Sequence, residues 1–196
     1  MKLHDSLPDS IVVDGKRYKC DFNFRNVLKM LDILENEDYL PEARDFLALR
    51  CVLKRKPRNT QAALNAVKIA LFPHRNETGG KKLTSFEQDA DLIRAAFLQA
   101  YGINLFHAKL HWLEFATLLN ALPEGSRYSE VLGIRARPMP KATKWNHEER
   151  EWLAKAKAAC ALEVTDKERQ QNYESSVKNV FTGLMGIVKR GDDNGV

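Results

Sequence analysis

Apolar positions along this chain change period near residue 23, from alternation to the three-to-four spacing of helices, and the longer period then persists. Before the change, Ile11-Val12-Val13 and Arg17-Tyr18-Lys19-Cys20 flank Asp14-Gly15. That pattern predicts a β-hairpin, because Asp-Gly accepts the positive φ of a tight primed turn. A two-stranded hairpin is marginal alone. It must lie on the helices as a packed flap, or offer its outer edge to a neighbouring subunit.

Beyond the switch, Asn23 can cap a helix that turns Val27, Leu28, Leu31 and Leu34 inward. A second helix follows Pro41, a residue tolerated in a first turn, and carries Ala43, Phe46, Leu47, Leu49 and Val52. A third is expected from a Thr60 cap to Phe72, with Pro73 ending it. The stretch from His74 to Lys82, with Gly79-Gly80 and Lys81-Lys82, reads as a polar loop.

The densest periodicity lies from Phe86 onward, where Phe86, Ala90, Ile93 and Phe97 recur at helical spacing. After a break at Gly102 a second series runs Leu110, Leu113, Leu118, Leu122. Two adjoining helices therefore need each other for burial. Thr84-Ser85-Phe86-Glu87 has the capping-box form and is expected to start the first of them. Asp89 and Asp91 then fall in early turns, where negative charge suits the helix dipole, and Asp91 and Arg94 have pairing distance.

Pro123 to Ser126 reads as a turn, Tyr128 to Ala136 as a short helix, and Arg137-Pro138-Met139-Pro140 as extended chain, since proline disfavours helix before it. A helix capped near Asn146 should reach about Leu162. Thr165 can cap a last, long helix with Tyr173, Val177, Val180, Phe181, Leu184, Ile187 and Val188 along it. This stripe either completes the core or is a detachable arm that docks on another chain. The expected fold is mainly α: an N-terminal β-hairpin (1–22), a compact helical bundle (23–162), and a long C-terminal helix with an unstructured tail (163–196).

Composition narrows the reading. With 196 residues, 44% of them hydrophobic, the chain can bury a sizeable core. The net charge of +5, from 31 basic and 26 acidic residues, is interspersed along nearly every helix. Nucleic acid is therefore not the expected partner, since its binding needs the excess gathered on one face. The run Lys54-Arg55-Lys56-Pro57-Arg58 has two readings, complement to a helix C-terminus or contact with phosphate. Three dispersed cysteines, Cys20, Cys51 and Cys160, show no metal spacing and suit a reducing compartment. No apolar run approaches the roughly 20 residues of a membrane span, and the polar start lacks a signal-peptide core.

Candidate chemistry is sparse. His107, His111 and Glu114 lie at helical spacing, but without the acid of HExxH no metal site is expected. Phosphate-loop and nucleophile-elbow motifs are lacking, so neither cofactor nor enzyme activity is expected. His111, beside Trp112, is expected to bond at a packed surface with its other nitrogen in water. Tyr101, Trp112, Phe115, Tyr128 and Trp145 are either core or stacking platforms for single strands beside Arg135 and Arg137. Arg135 has candidate acidic partners in Asp89 and Glu114.

The segment also resembles the bacteriophage gene-product-fifteen family through Phe86, Gln88-Asp89, Ile93, Ala96-Phe97, Tyr101-Gly102-Ile103-Asn104-Leu105, Leu110-His111-Trp112, Phe115, Leu118-Leu119, Leu122 and Ile134-Arg135. Leu113, Asn104 and Ala121 stand where the family pattern has Trp, Asp and Gly. The resemblance implies a tail assembly chaperone of long-tailed phages, working in the host bacterial cytoplasm. It would shield an apolar tape-measure protein and recruit the major tail protein to it. On that reading Phe86, Asp89, Phe97, Tyr101, Gly102, His111, Trp112, Phe115 and Arg135 form the scaffold. Tyr173, Val177, Phe181, Leu184 and Ile187 would then contact the partner, with self-association also open. A nucleic-acid-binding phage protein and a minor structural tail protein are the alternatives.

Overall fold

The computed structural model describes residues 4–73 and 83–163. Strands β1 (Ser10–Val13) and β2 (Lys16–Lys19) pair antiparallel, with Ser10 opposite Lys19 and Val13 opposite Lys16. Asp14 (φ 49°) and Gly15 (φ 73°) both lie in the left-handed region, as a primed turn demands. Ile11 and Val13 are buried, and β1 packs on α3, so the hairpin shares the core of the helices.

Seven helices follow among the described residues: α1 (Phe24–Glu35), α2 (Pro41–Val52), α3 (Thr60–Leu71), α4 (Ala90–Tyr101), α5 (Trp112–Asn120), α6 (Arg127–Ala136) and α7 (His147–Ala159). The chain is mainly α, with the small hairpin at its N-terminal end. Helix α1 lies on α2 and α5, α2 on α3, α4 on α5 and α6, and α6 on α7. The first three helices meet the later four where Phe24 N–H donates to the Leu110 carbonyl (3.0 Å) and Trp112 N–H to the Phe22 carbonyl (2.7 Å). Residue 23 thus stands opposite residue 111 in a short antiparallel contact.

Several boundaries differ from the sequence expectations. Helix α3 is capped by Asn59 rather than Thr60, because the Asn59 side-chain oxygen accepts the Ala62 N–H at 3.0 Å. Leu110 precedes α5 and Leu122 follows it, both outside the helix. Helix α7 ends at Ala159, short of Leu162. Helix α4 starts at Ala90, and the capping box at Thr84 does not form. The Thr84 hydroxyl is drawn instead to Asp89 (3.3 Å) and Tyr128 (2.9 Å), leaving residues 86–89 in a separate turn. The expected long C-terminal helix and the 74–82 loop lie outside the described residues.

Candidate functional site

The motif-bearing segment builds two adjoining sites, one of rings and one of polar bonds. Phe115, on α5, is 2% exposed and occupies the centre of the first. It stacks on Phe24 from α1 (centroids 4.8 Å apart) and on Phe97 from α4 (5.3 Å). Trp112 and Phe86 lie 5.8 and 6.2 Å from it, and Phe97 meets Tyr101 edge-on at 5.6 Å. Rings at such separations prefer offset or edge contacts and add attraction beyond area burial. The polar atoms of this cluster are satisfied: Trp112 Nε1–H donates to the Leu71 carbonyl (3.2 Å) and the Tyr101 hydroxyl to the Leu118 carbonyl (2.8 Å).

Two motif residues shape the chain around the rings. Gly102 closes α4 with φ 66°, returning its N–H to the Leu98 carbonyl at 3.0 Å. His111 caps α5: its Nδ1 accepts the Leu113 N–H (3.1 Å), while Glu114 accepts the His111 N–H (2.9 Å). With Nδ1 an acceptor, the ring proton sits on Nε2, which donates to the Pro8 carbonyl at 3.0 Å. Both nitrogens are bonded within the protein, a correction to the expectation that one meets water. The aromatic neighbour Phe22 abuts the ring edge-on.

The second site centres on Asp89 and Arg135, whose side chains are 2% and 10% exposed. Arg135 makes a forked pair with the carboxylate, Nη1 to Oδ2 at 2.7 Å and Nη2 to Oδ1 at 2.8 Å. Asp89 Oδ2 also accepts the Ser85 N–H (3.0 Å) and the Thr84 hydroxyl. Arg135 donates further, from Nη1 to the Leu83 carbonyl (2.9 Å) and from Nε to the Cys160 carbonyl (2.5 Å). Burial opposes ionisation of Asp89, but the Arg135 guanidinium, the Ser85 amide and the Thr84 hydroxyl outweigh it and hold its pKa below the ordinary 3.8. The bond to Asp89 in turn raises the pKa of Arg135 against the opposing effect of burial. Of its two candidate acidic partners, Arg135 thus takes Asp89, while Glu114 belongs to the α5 cap.

One contact was not legible beforehand. Gln88 grips the backbone of Glu163 with both ends of its amide, Nε2–H to the carbonyl (3.2 Å) and Oε1 from the N–H (2.8 Å). Lys157 Nζ adds a bond to the Arg135 carbonyl at 2.9 Å. The Gln88-Asp89 pair was the available signal, but its partners lie 75 and 46 residues away.

The remaining candidates disperse. Trp112, Phe115 and Tyr128 are buried, Arg135 is committed to Asp89 and Arg137 pairs with Glu149 at 2.8 Å, so no stacking platform assembles from that set. Trp145 alone of them is open, at 95% exposure, with Trp152 at 56% on α7. His107 is exposed, whereas His111 and Glu114 are spent on the α5 cap; no metal-competent cluster occurs among the described residues. All three cysteines are free thiols, and burial pushes Cys20 up to about 11. No helix among the described residues is long and apolar enough to cross a membrane. The residues expected to contact a partner, Tyr173, Val177, Phe181, Leu184 and Ile187, lie outside the described residues.

The signature residues of this helical body are thus engaged in a ring cluster and a buried ion-pair lock. The family model for the Bacteriophage Gp15 protein matches residues 3–162, and the chain belongs to that family. No curated protein and no solved structure was matched.

Proposed function

We propose that this bacteriophage protein is a non-enzymatic tail assembly chaperone that binds the tape-measure protein and recruits tail tube subunits in the host bacterial cytoplasm. Membership of the phage family over residues 3–162 carries the reading. The use made of the motif adds support: Asp89, Arg135, His111, Glu114 and Tyr101 each hold a structural bond. These groups stabilise the helical body, and Gln88 holds the backbone of Glu163 against it. Beyond that point the sequence carries the apolar stripe Tyr173, Val177, Phe181, Leu184 and Ile187. An amphipathic stripe of this kind suits groove packing against a long apolar helix, and repeated weak contacts along an extended partner give avidity while permitting displacement by tube subunits.

The test is a pull-down with tagged protein from cells expressing the whole tail-gene cluster, with nuclease present and bound proteins identified by mass spectrometry. The expected result is recovery of the tape-measure protein, the major tail protein, or both. Recovery of neither, with nucleic acid retained until nuclease is added, would replace this reading with a nucleic-acid-binding one.

A further inference from the structure

Helix α2 carries opposite surfaces at its two ends. The approach to it, Glu35 to Leu40, holds three acids, and Glu42 adds a fourth in the first turn. At the tip of this acidic turn Tyr39 is 41% and Leu40 77% exposed. Leu40 serves as the cap position of α2 without any side-chain bond, so its isobutyl group projects with no role in the helix start.

The other end of α2 is a cleft of about 190 Å³. Its floor is apolar, from Phe46, Leu49, Leu53 and Pro57. Its rim is cationic, from Arg50, Lys54, Arg55 and Lys56, and no acid lines it. The Lys56 ammonium stands 4.7 Å from the centre of the Phe46 ring, which holds charge over the apolar floor. The helix dipole accounts for Glu42 in the first turn and Arg50 in the last. It does not account for an exposed leucine among acids, nor for three cations beyond the helix around an apolar hollow.

We propose that this cleft receives the acidic, Leu40-tipped turn of a second copy of the chain, so that the protein associates head to tail along α2. An exposed apolar residue with acids beside it in the chain matches an apolar hollow lined by cations in charge and polarity. The two surfaces are fixed on one 12-residue helix, ~18 Å long at 1.5 Å per residue, so they meet between molecules and not within one. The contact is heterologous, producing an open row or a ring rather than a closed two-fold dimer. Its small area makes each link weak alone. This inference does not depend on the chaperone reading, although a row of copies suits an extended partner.

The test uses full-length protein in sedimentation equilibrium over a wide concentration range, at low salt and at about 0.5 M salt, where charge contacts between exposed groups are screened. Weight-average mass is expected to rise with concentration at low salt and to fall back at high salt. The variants Asp38→Lys and Lys54→Glu/Arg55→Glu should each stay monomeric with unchanged thermal melting. Mixing them should restore association, because the native turn of one then meets the native cleft of the other. A constant monomer mass for the unaltered protein, or a mixture that remains monomeric, overturns the proposal. So does a flat mass combined with salt-sensitive binding of a labelled DNA oligonucleotide that is lost in Lys54→Glu/Arg55→Glu, since the cleft would then take phosphate. Tail-protein recovery and self-association are read in separate experiments, so either reading can fail without the other.

Discussion

Asp89 and Arg135 show how a buried charge can favour a fold only as one of a pair. Removing the guanidinium in Arg135→Met leaves a carboxylate that is 2% exposed with only an amide and a hydroxyl to face it. The expected loss at neutral pH is on the order of 3–5 kcal/mol, read as a lower urea midpoint. Acidification separates this from a packing loss. In the unaltered protein the Asp89 pKa is lowered below 3.8 when folded, so its contribution is full above the ordinary carboxylate range and is lost as pH falls through the folded value. In Arg135→Met, burial acts with little opposition and the sign reverses: lowering pH from 7 to 4 should recover part of the stability at this site. A variant whose pH slope matched the unaltered protein would rule out the electrostatic account. Trp112 presents the apolar counterpart. Its ring is 4% exposed and meets Phe72, Phe86 and Phe115, so Trp112→Ala should cost about 3–5 kcal/mol in urea titration. An effect within experimental error would mean that the rings can close over the gap.

Helix ends decide how this chain is cut into elements. Gly102 ends α4 at φ 66°, and a Cβ there would touch nothing within 4 Å. Gly102→Ala should therefore cost only the backbone strain of the left-handed region, about 1 kcal/mol by chemical denaturation, and Gly102→Asn less. A cost of several kcal/mol would point to a contact beyond the backbone. The same ends explain what was legible in the sequence. The hairpin turn, the Asn23 cap, Pro41 in the first turn of α2 and the stop at Gly102 were readable because each rests on local backbone chemistry. The start of α4 was not. Thr84-Ser85-Phe86-Glu87 has every local mark of a cap, yet the hydroxyl of Thr84 goes to Tyr128, 44 residues on, and to a carboxylate held by Arg135. A tertiary bond outbid the local one. His111 as the cap of α5 was hidden for a related reason, since imidazole is an uncommon capping group whose use here depends on Pro8 accepting its other proton. The ring cluster was visible as periodicity, whereas the Gln88 grip on Glu163 lies between residues that no local pattern connects.

At the scale of the whole molecule, the body and the chain beyond it are expected to answer differently to substitution. Phe181→Asp should leave the thermal melting of the protein unchanged and abolish recovery of the tape-measure protein in the pull-down, while Trp112→Ala lowers melting, through the cost given above, without complete unfolding. The reverse pattern, melting lowered by Phe181→Asp and partner recovery kept, would assign the stripe to the core. The polar lock also bears on mechanics. Residue 83 follows the 74–82 segment and residue 163 precedes the last stretch of chain, and both are fastened to one corner: Arg135 holds the Leu83 and Cys160 carbonyls, and Gln88 holds Glu163. Any pull that reached residue 163 would fall first on these few bonds, as a cable grip takes strain before the wiring does.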